Sequence, residues 1–166
     1  MRNDECSCLD QTFIIHHSAF RIQQMTQIDF YTHVEDKLAT ACRLAAKAYA
    51  RKLRVTVLCP DAAAAARFDR SLWTFSATGF VPHCLAHDPL TSVTPIVVDS
   101  DGTGPDHDQV LLNLRPEWPP RFSCFQRLIE VVSLDEEDRR LARERYRFYR
   151  DRGYDIRSHD LSRTAE

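Results

Sequence analysis

Hydrophobic and polar positions follow no sustained period over residues 1–24, and a regular pattern begins only at Met25. Residues 28–31 alternate apolar and polar side chains, which predicts a strand. A capping box, Thr32-x-x-Glu35, then predicts the start of an alanine-rich helix. The predicted apolar face of this helix consists of Leu38, Ala41, Cys42, Ala45 and Tyr49.

The segment after this helix, residues 54–59, is a short β-branched apolar run that is typical of a central strand covered on both faces. Pro60-Asp61 opens a second predicted helix, and the β-α-β-α order favours a parallel sheet with crossover helices. Further strands are predicted at 95–98, 110–114 and 128–132, a helical turn at 122–125, and a last helix over 135–152. This last helix begins at a second capping box, Ser133-x-x-Glu136, and stops at Gly153.

These elements predict a single Rossmann-like α/β domain with a mainly parallel sheet flanked by helices. We expect the domain to occupy residues 25–153 and a polar tail over 154–166 to fray. Residues 1–24 are interpreted as a disordered extension, or as a start placed upstream of a natural initiator at Met25. Cys6, Cys8, His16 and His17 are too few to favour a metal-binding extension.

Composition narrows the possible functions. The formal net charge of −2 excludes a globally basic nucleic-acid binder but does not exclude a local basic patch. The chain has only four glycines, and their spacing fits neither a dinucleotide-binding fingerprint nor a phosphate-binding loop. Six cysteines without a C-x-x-C pair are typical of buried small residues in a reducing compartment. We therefore expect a cytoplasmic location.

Two clusters invite a metal-site interpretation, and neither is complete. The loop that begins at Asp99 has glycine at the sixth position of a calcium loop, but Val110 stands where a bidentate glutamate is needed. His83, Cys84, His87 and Asp88 lack a second ligand pair elsewhere in the chain. Paired carboxylates occur only where helices are predicted to start, which the helix dipole explains. We expect no metal, no cofactor and no catalytic residues.

The last predicted helix carries the most information about function. Seven of the chain's 19 arginines fall within residues 139–152. At ~100° per residue, one arc of about 80°, bordered by Tyr146, contains an arginine stripe, defined as Arg139, Arg143, Arg147 and Arg150. This stripe is either a solvated charged face or a surface for an acidic peptide with an apolar anchor or a nucleic-acid backbone. Arg145 falls on the apolar side, where it must pair with an acid or extend beyond the core.

Several segments resemble the chi subunit family of bacterial DNA polymerase III. They are LARERYRFYRDRG at 141–153, SLW at 71–73, FVPH at 80–83 followed by Leu85-Ala86, IDFYT at 28–32, and RVTVLC at 54–59. The likeness runs from Met25 to about His159. It implies a Rossmann-like fold without a nucleotide site and an accessory role in the clamp loader.

The resemblance further implies two binding surfaces. One binds the acidic C-terminal tail of single-stranded-DNA-binding protein, which ends in Pro-Phe, and the matching positions are Arg139, Arg143, Tyr146 and Arg147, with Arg150 added from the stripe. The other binds the psi subunit through Trp73 and Phe80, unless these aromatics belong to the core. Arginine replaces the family's common lysine at 139 and 147. The alternatives are an orphan Rossmann-like enzyme or a direct single-strand binder that uses the stripe.

Overall fold

The computed structural model describes residues 25–77, 79–104 and 107–164. In this part of the chain an open, all-parallel sheet has the strand order β3-β4-β2-β5-β6-β1-β7. The strands are β1 Gln27–Val34, β2 Val55–Leu58, β3 His83–Leu85, β4 Ile96–Asp99, β5 Val110–Asn113, β6 Arg127–Ser133 and β7 Ile156–Asp160. The helices are α1 Lys37–Ala50, α2 Ala62–Thr74 and α3 Glu136–Asp151, with short 3-10 helices at Phe122–Cys124 and Leu161–Thr164. The predicted fold class is confirmed.

A separate hydrophobic core lies on each face of the sheet. On one face α1 and α2 pack against the central strands, and Phe68 and Val57 are fully buried there. On the other face α3 and the first 3-10 helix pack against β1 and β6 through Tyr149 and Phe122. The central strand β2 is buried along its whole length, as its apolar run predicts.

The helix starts differ from the predicted capping boxes. Asp36, not Thr32, is the N-cap of α1, and its carboxylate accepts a hydrogen bond from the Ala39 N–H at 2.9 Å. Asp135, not Ser133, caps α3 through the N–H of Asp138 at 3.0 Å. Both capping-box predictions are wrong because strands β1 and β6 extend further than predicted, so that Thr32 and Ser133 remain in the sheet.

Two further expectations are corrected. The segment expected to fray contains β7, which pairs in parallel with β1 and forms an edge of the sheet. Its hydrogen bonds to β1 hold a polar sequence that has little apolar periodicity of its own. The expectation that every cysteine is a buried thiol holds for Cys42, Cys59 and Cys84, whereas Cys124, half-buried in a 3-10 turn, is disulfide-bonded. The predictions for residues 1–24 lie outside the described residues.

In the two clusters considered as metal sites, Asp99 and His83 form hydrogen bonds with backbone groups. The Asp99 carboxylate accepts hydrogen bonds from the N–H groups of Asp101, Gly102 and Gly104 and so folds its own loop. A Cβ at Gly104 would lie 2.8 Å from Asp99 Oδ2, so this close approach requires glycine. His83 Nδ1 lies 2.6 Å from the Val81 carbonyl oxygen. No helix among the described residues is long and apolar enough to cross a membrane.

Candidate interaction surfaces

A groove of about 220 Å³ lies between α3 and the β1–β7 edge of the sheet. We call it the α3 groove. Its apolar floor comes from three elements, with Phe30 on β1, Val132 on β6 and Ala142 on α3. Its rim is polar or charged and consists of Thr32, His33, Arg139, Arg143, Tyr146 and Ser158. The α3 groove can therefore accept an apolar group while cations contact an attached anion.

Tyr146 forms one wall of the α3 groove. Its ring packs edge-to-face on Phe30 with centroids 5.4 Å apart, and the side chain remains 36% exposed. Edge-to-face packing of this kind fixes the orientation of an aromatic ring. The phenol consequently presents an ordered apolar surface to any side chain that enters the groove.

The two arginines at the rim are available for a ligand. Within the described part of the chain, neither Arg139 nor Arg143 forms an ion pair or a side-chain hydrogen bond. Arg140 differs, since its guanidinium bridges Glu137 and Glu144 along the helix. Unpaired guanidinium groups beside an apolar floor are suited to bind a carboxylate.

The structure does not bring the whole arginine stripe to the α3 groove. Arg139, Arg143 and Tyr146 line it, whereas Arg147 and Arg150 lie further along the exposed face of α3. Arg150 also contacts Asp151, with Nη2 and Oδ1 3.0 Å apart. A ligand anchored in the groove would reach these two arginines only if it extended along the helix.

A buried polar cluster holds α3 in place beneath the groove. Arg145 Nε donates to Glu130 Oε2 at 3.0 Å, and both side chains are almost fully buried. Glu130 also accepts hydrogen bonds from Tyr149 Oη at 2.8 Å and from Asn113 Nδ2 at 3.2 Å. Arg145 donates further to the carbonyl oxygen of Pro116 at 2.6 Å. Of the two alternatives expected for Arg145, the structure shows pairing with an acid, and the pair ties α3 to β6.

Trp73 and Phe80 form an exposed aromatic pair at the other end of the sheet. Their ring centroids are 5.2 Å apart, and the two side chains are 57% and 60% exposed. Trp73 also packs edge-to-face on the buried His83 ring of β3 at 5.0 Å. Neither residue belongs to the core. The aromatic pair is therefore an exposed apolar surface, and the contact of Trp73 with β3 holds it in place.

The aromatic pair and the α3 groove lie far apart. Trp73 contacts β3, whereas Phe30 of the groove floor lies on β1, five strands away in the sheet order. With neighbouring strands ~4.8 Å apart, the two surfaces are separated by about 24 Å. The aromatic pair and the α3 groove are therefore separate surfaces of the molecule.

The carboxyl ends of the strands, where doubly wound sheets usually bind nucleotides, are bridged by a side chain. Arg115 Nε donates to the carbonyl oxygen of Cys59, the residue that follows β2, at 2.9 Å. Arg115 Nη2 donates to the carbonyl oxygen of Ser100, the residue that follows β4. Asn113 folds the same segment by accepting the N–H of Arg115 at 3.0 Å. Arg115 thus links the segments that follow β2 and β4.

The sequence predicted three rim residues of the α3 groove, Arg139, Arg143 and Tyr146, but not its floor. Phe30 and Val132 belong to strands that meet only in the folded sheet, and no local spacing relates them. The alternation in β1 does place Phe30 on one face, opposite to Asp29 and Tyr31. Without the strand order, that signal could not have identified α3 as the neighbour.

Known proteins provide a comparison. Residues 25–157 match the family model described as DNA polymerase III chi subunit, HolC. The chain is 34% identical over 143 residues to DNA polymerase III subunit chi of Pseudomonas aeruginosa, which covers 84% of this chain and 99% of that relative. It is 29% identical over 132 residues to the Escherichia coli protein of the same name, covering 79% and 88%.

Solved structures also resemble the fold. The crystal structure of T4 UvsW superposes with a TM-score of 0.59 at 8% identity, covering 84% of this chain. The chain spans 42% of the length of that structure. At this identity the likeness concerns the fold alone.

Proposed function

Because the chain belongs to the DNA polymerase III chi subunit family of replication accessory subunits, we propose that it is a non-catalytic bridge within the clamp loader. One surface binds the psi subunit, and the other binds the acidic C-terminal tail of single-stranded-DNA-binding protein. The observation that carries this proposal is the α3 groove, in which two unpaired arginines flank an apolar floor.

The chemistry of the α3 groove supports the assignment of the tail. A tail that ends in Pro-Phe presents an aromatic ring next to a terminal carboxylate, with further carboxylates upstream. The ring can pack on the apolar floor of the groove beside Tyr146, while Arg139 and Arg143 contact the terminal carboxylate. The upstream acids then follow the helix towards Arg147 and Arg150.

Fluorescence anisotropy with a labelled acidic peptide ending in Pro-Phe tests the tail site. A hydrogen bond to a charged group contributes roughly 1.5–3 kcal/mol, so Arg143→Ala should weaken binding about ten- to a hundredfold. Arg143→Glu should weaken it more, and high salt should weaken binding to the wild type. Arg140→Ala is the matched control, because Arg140 is on the same helix and pairs with its own acids. Equal affinity of the wild type and Arg143→Glu would refute the tail site.

The aromatic pair supports the assignment of the psi surface. Large aromatic side chains are enriched among residues that dominate protein interfaces. Trp73 and Phe80 are both more than half exposed, and the family resemblance relates both positions to psi. Their distance from the α3 groove allows one chain to hold both partners.

Co-purification with the psi subunit of the same organism tests the second surface. Truncation of such a residue often costs ~2 kcal/mol or more, so Phe80→Ala should lower affinity by at least about thirtyfold. Trp118→Ala is the control, since Trp118 is an exposed aromatic elsewhere on the molecule. Because Phe80 is exposed, its variant should keep the wild-type circular dichroism. Unchanged psi binding by Phe80→Ala and Trp73→Ala would contradict the assignment.

A further inference from the structure

A cavity of about 540 Å³ lies on the face of the sheet that α1 covers, between the second half of α1 and strands β1, β6 and β7. The proposed bridging function does not use it. It lies across the β1–β7 edge from the α3 groove, because side chains of β1 alternate between the two faces: Tyr31 lines the cavity and Phe30 lines the groove. Its volume is within the usual range for small-molecule sites, about 300–1,000 Å³.

The floor of this cavity is apolar, and one wall is aromatic. The floor consists of Leu44, Ala48, Leu53, Val110 and Ile129. The rings of Tyr31 and His159 stack on that wall, with centroids 4.6 Å apart and planes 17° from parallel. A third planar ring can stack on an aromatic pair of this kind.

Three cations converge on the same cavity, namely Lys47, Arg51 and Arg127. Within the described residues, the charged groups of Lys47 and Arg51 have no ion pair and no hydrogen bond. Arg127 donates through Nε to Asp29 Oδ2 at 2.7 Å, while its Nη groups make no hydrogen bond to a described residue. The two nearby acids already have partners. Asp29 Oδ1 lies 2.6 Å from His159 Nε2, and Asp160 Oδ1 lies 3.0 Å from His33 Nδ1.

Lys47 and Arg51 line the same cavity without an anionic partner among the described residues, so their charges repel, and an anion that bridges them removes this repulsion. Guanidinium groups match the geometry of phosphate oxygens, and aromatic rings stack on nucleobases. We propose that this cavity binds a nucleotide, with the phosphate on Lys47, Arg51 and Arg127 and the base against the Tyr31–His159 pair. The nucleotide is either free or one unit of a single-stranded nucleic acid.

NMR titration of the full chain tests this site, with thymidine 5′-monophosphate, an oligothymidylate and inorganic phosphate as separate probes. Shifts are expected at Tyr31 and His159 with both nucleotide probes. Lys47→Glu combined with Arg51→Glu should weaken nucleotide binding at least tenfold. Arg43→Glu is the matched control, because Arg43 lies one turn before Lys47 on α1 and outside the cavity. Tyr31→Leu, checked for its melting temperature, should weaken nucleotide binding and leave phosphate binding unchanged.

The probes also identify the source of the ligand. Much tighter binding of the oligothymidylate indicates a single strand, and equal affinities indicate a free nucleotide; either result supports the site. Inorganic phosphate binding as tightly as the mononucleotide would overturn the proposal of a nucleotide. Absence of binding, or shifts confined to the α3 face, would overturn the site itself.

Discussion

The buried pair of Glu130 and Arg145 should dominate the stability of the α3 side of the sheet. Arg145→Met keeps an unbranched apolar stem but removes the guanidinium, whose Nε lies 3.0 Å from Glu130 Oε2. Removing one partner of a buried ion pair costs about 3–5 kcal/mol, because the other charge stays buried and uncompensated. For a domain of this size the melting temperature should fall by about 10–15 °C. Urea unfolding at neutral pH, followed by circular dichroism, measures the free energy directly.

The same variant should show a distinctive pH dependence. Burial raises the pKa of Glu130, while Arg145, Tyr149 and Asn113 oppose the rise. Without Arg145 the pKa rises further. A carboxyl with a raised folded-state pKa contributes stability that is full below its unfolded pKa and is lost as pH rises through the folded value. The deficit of Arg145→Met relative to the wild type should therefore shrink as pH falls from neutral towards the ordinary glutamate range.

Arg143→Met provides the control for this prediction. Arg143 is on the same helix, is exposed, and has no ion pair within the described residues. Its substitution should change the unfolding free energy by less than about 0.5 kcal/mol. A loss below about 1 kcal/mol in Arg145→Met, or a deficit independent of pH, would refute the reasoning that a charge is buried and paired at this position.

Three further predictions concern other elements. Asp36→Ala removes the N-cap of α1 and should cost about 1 kcal/mol in urea unfolding, whereas Glu35→Ala should cost little. Burial, assisted by the charge of Arg54, lowers the pKa of His107 to about 4, so its imidazole stays neutral in the folded chain. The free energy of unfolding should therefore fall as pH drops from ~6.5 towards 4. A titration of the His107 NMR signals with its midpoint near pH ~6.5 would contradict this. Burial raises the pKa of the Cys59 thiol to about 12, so iodoacetamide at mildly alkaline pH should label it only after unfolding, as peptide mapping can show.

The sequence predicted most elements because their signals are local. The apolar run of β2, the helical spacing in α1 and the start of α2 at Pro60-Asp61 are each signals within a few residues, and all three match the structure. The failures have a common cause. β7 and the ends of β1 and β6 depend on hydrogen bonds to distant strands, so local sequence placed a frayed tail and two capping boxes there instead.

In the candidate site too, some residues were predicted from local spacing and others required the tertiary structure. Periodicity along one helix was sufficient to place Arg139, Arg143 and Tyr146 on one arc, and to mark Arg145 as a residue that needs an acid. The identity of that acid, Glu130, and the floor of the α3 groove required the strand order, which pairs Gln27 of β1 with Arg127 of β6, far away in the sequence. The spacing of side chains on a helix is fixed by backbone hydrogen bonds within one segment. A groove between elements exists only when the pairing of distant strands has brought those elements together.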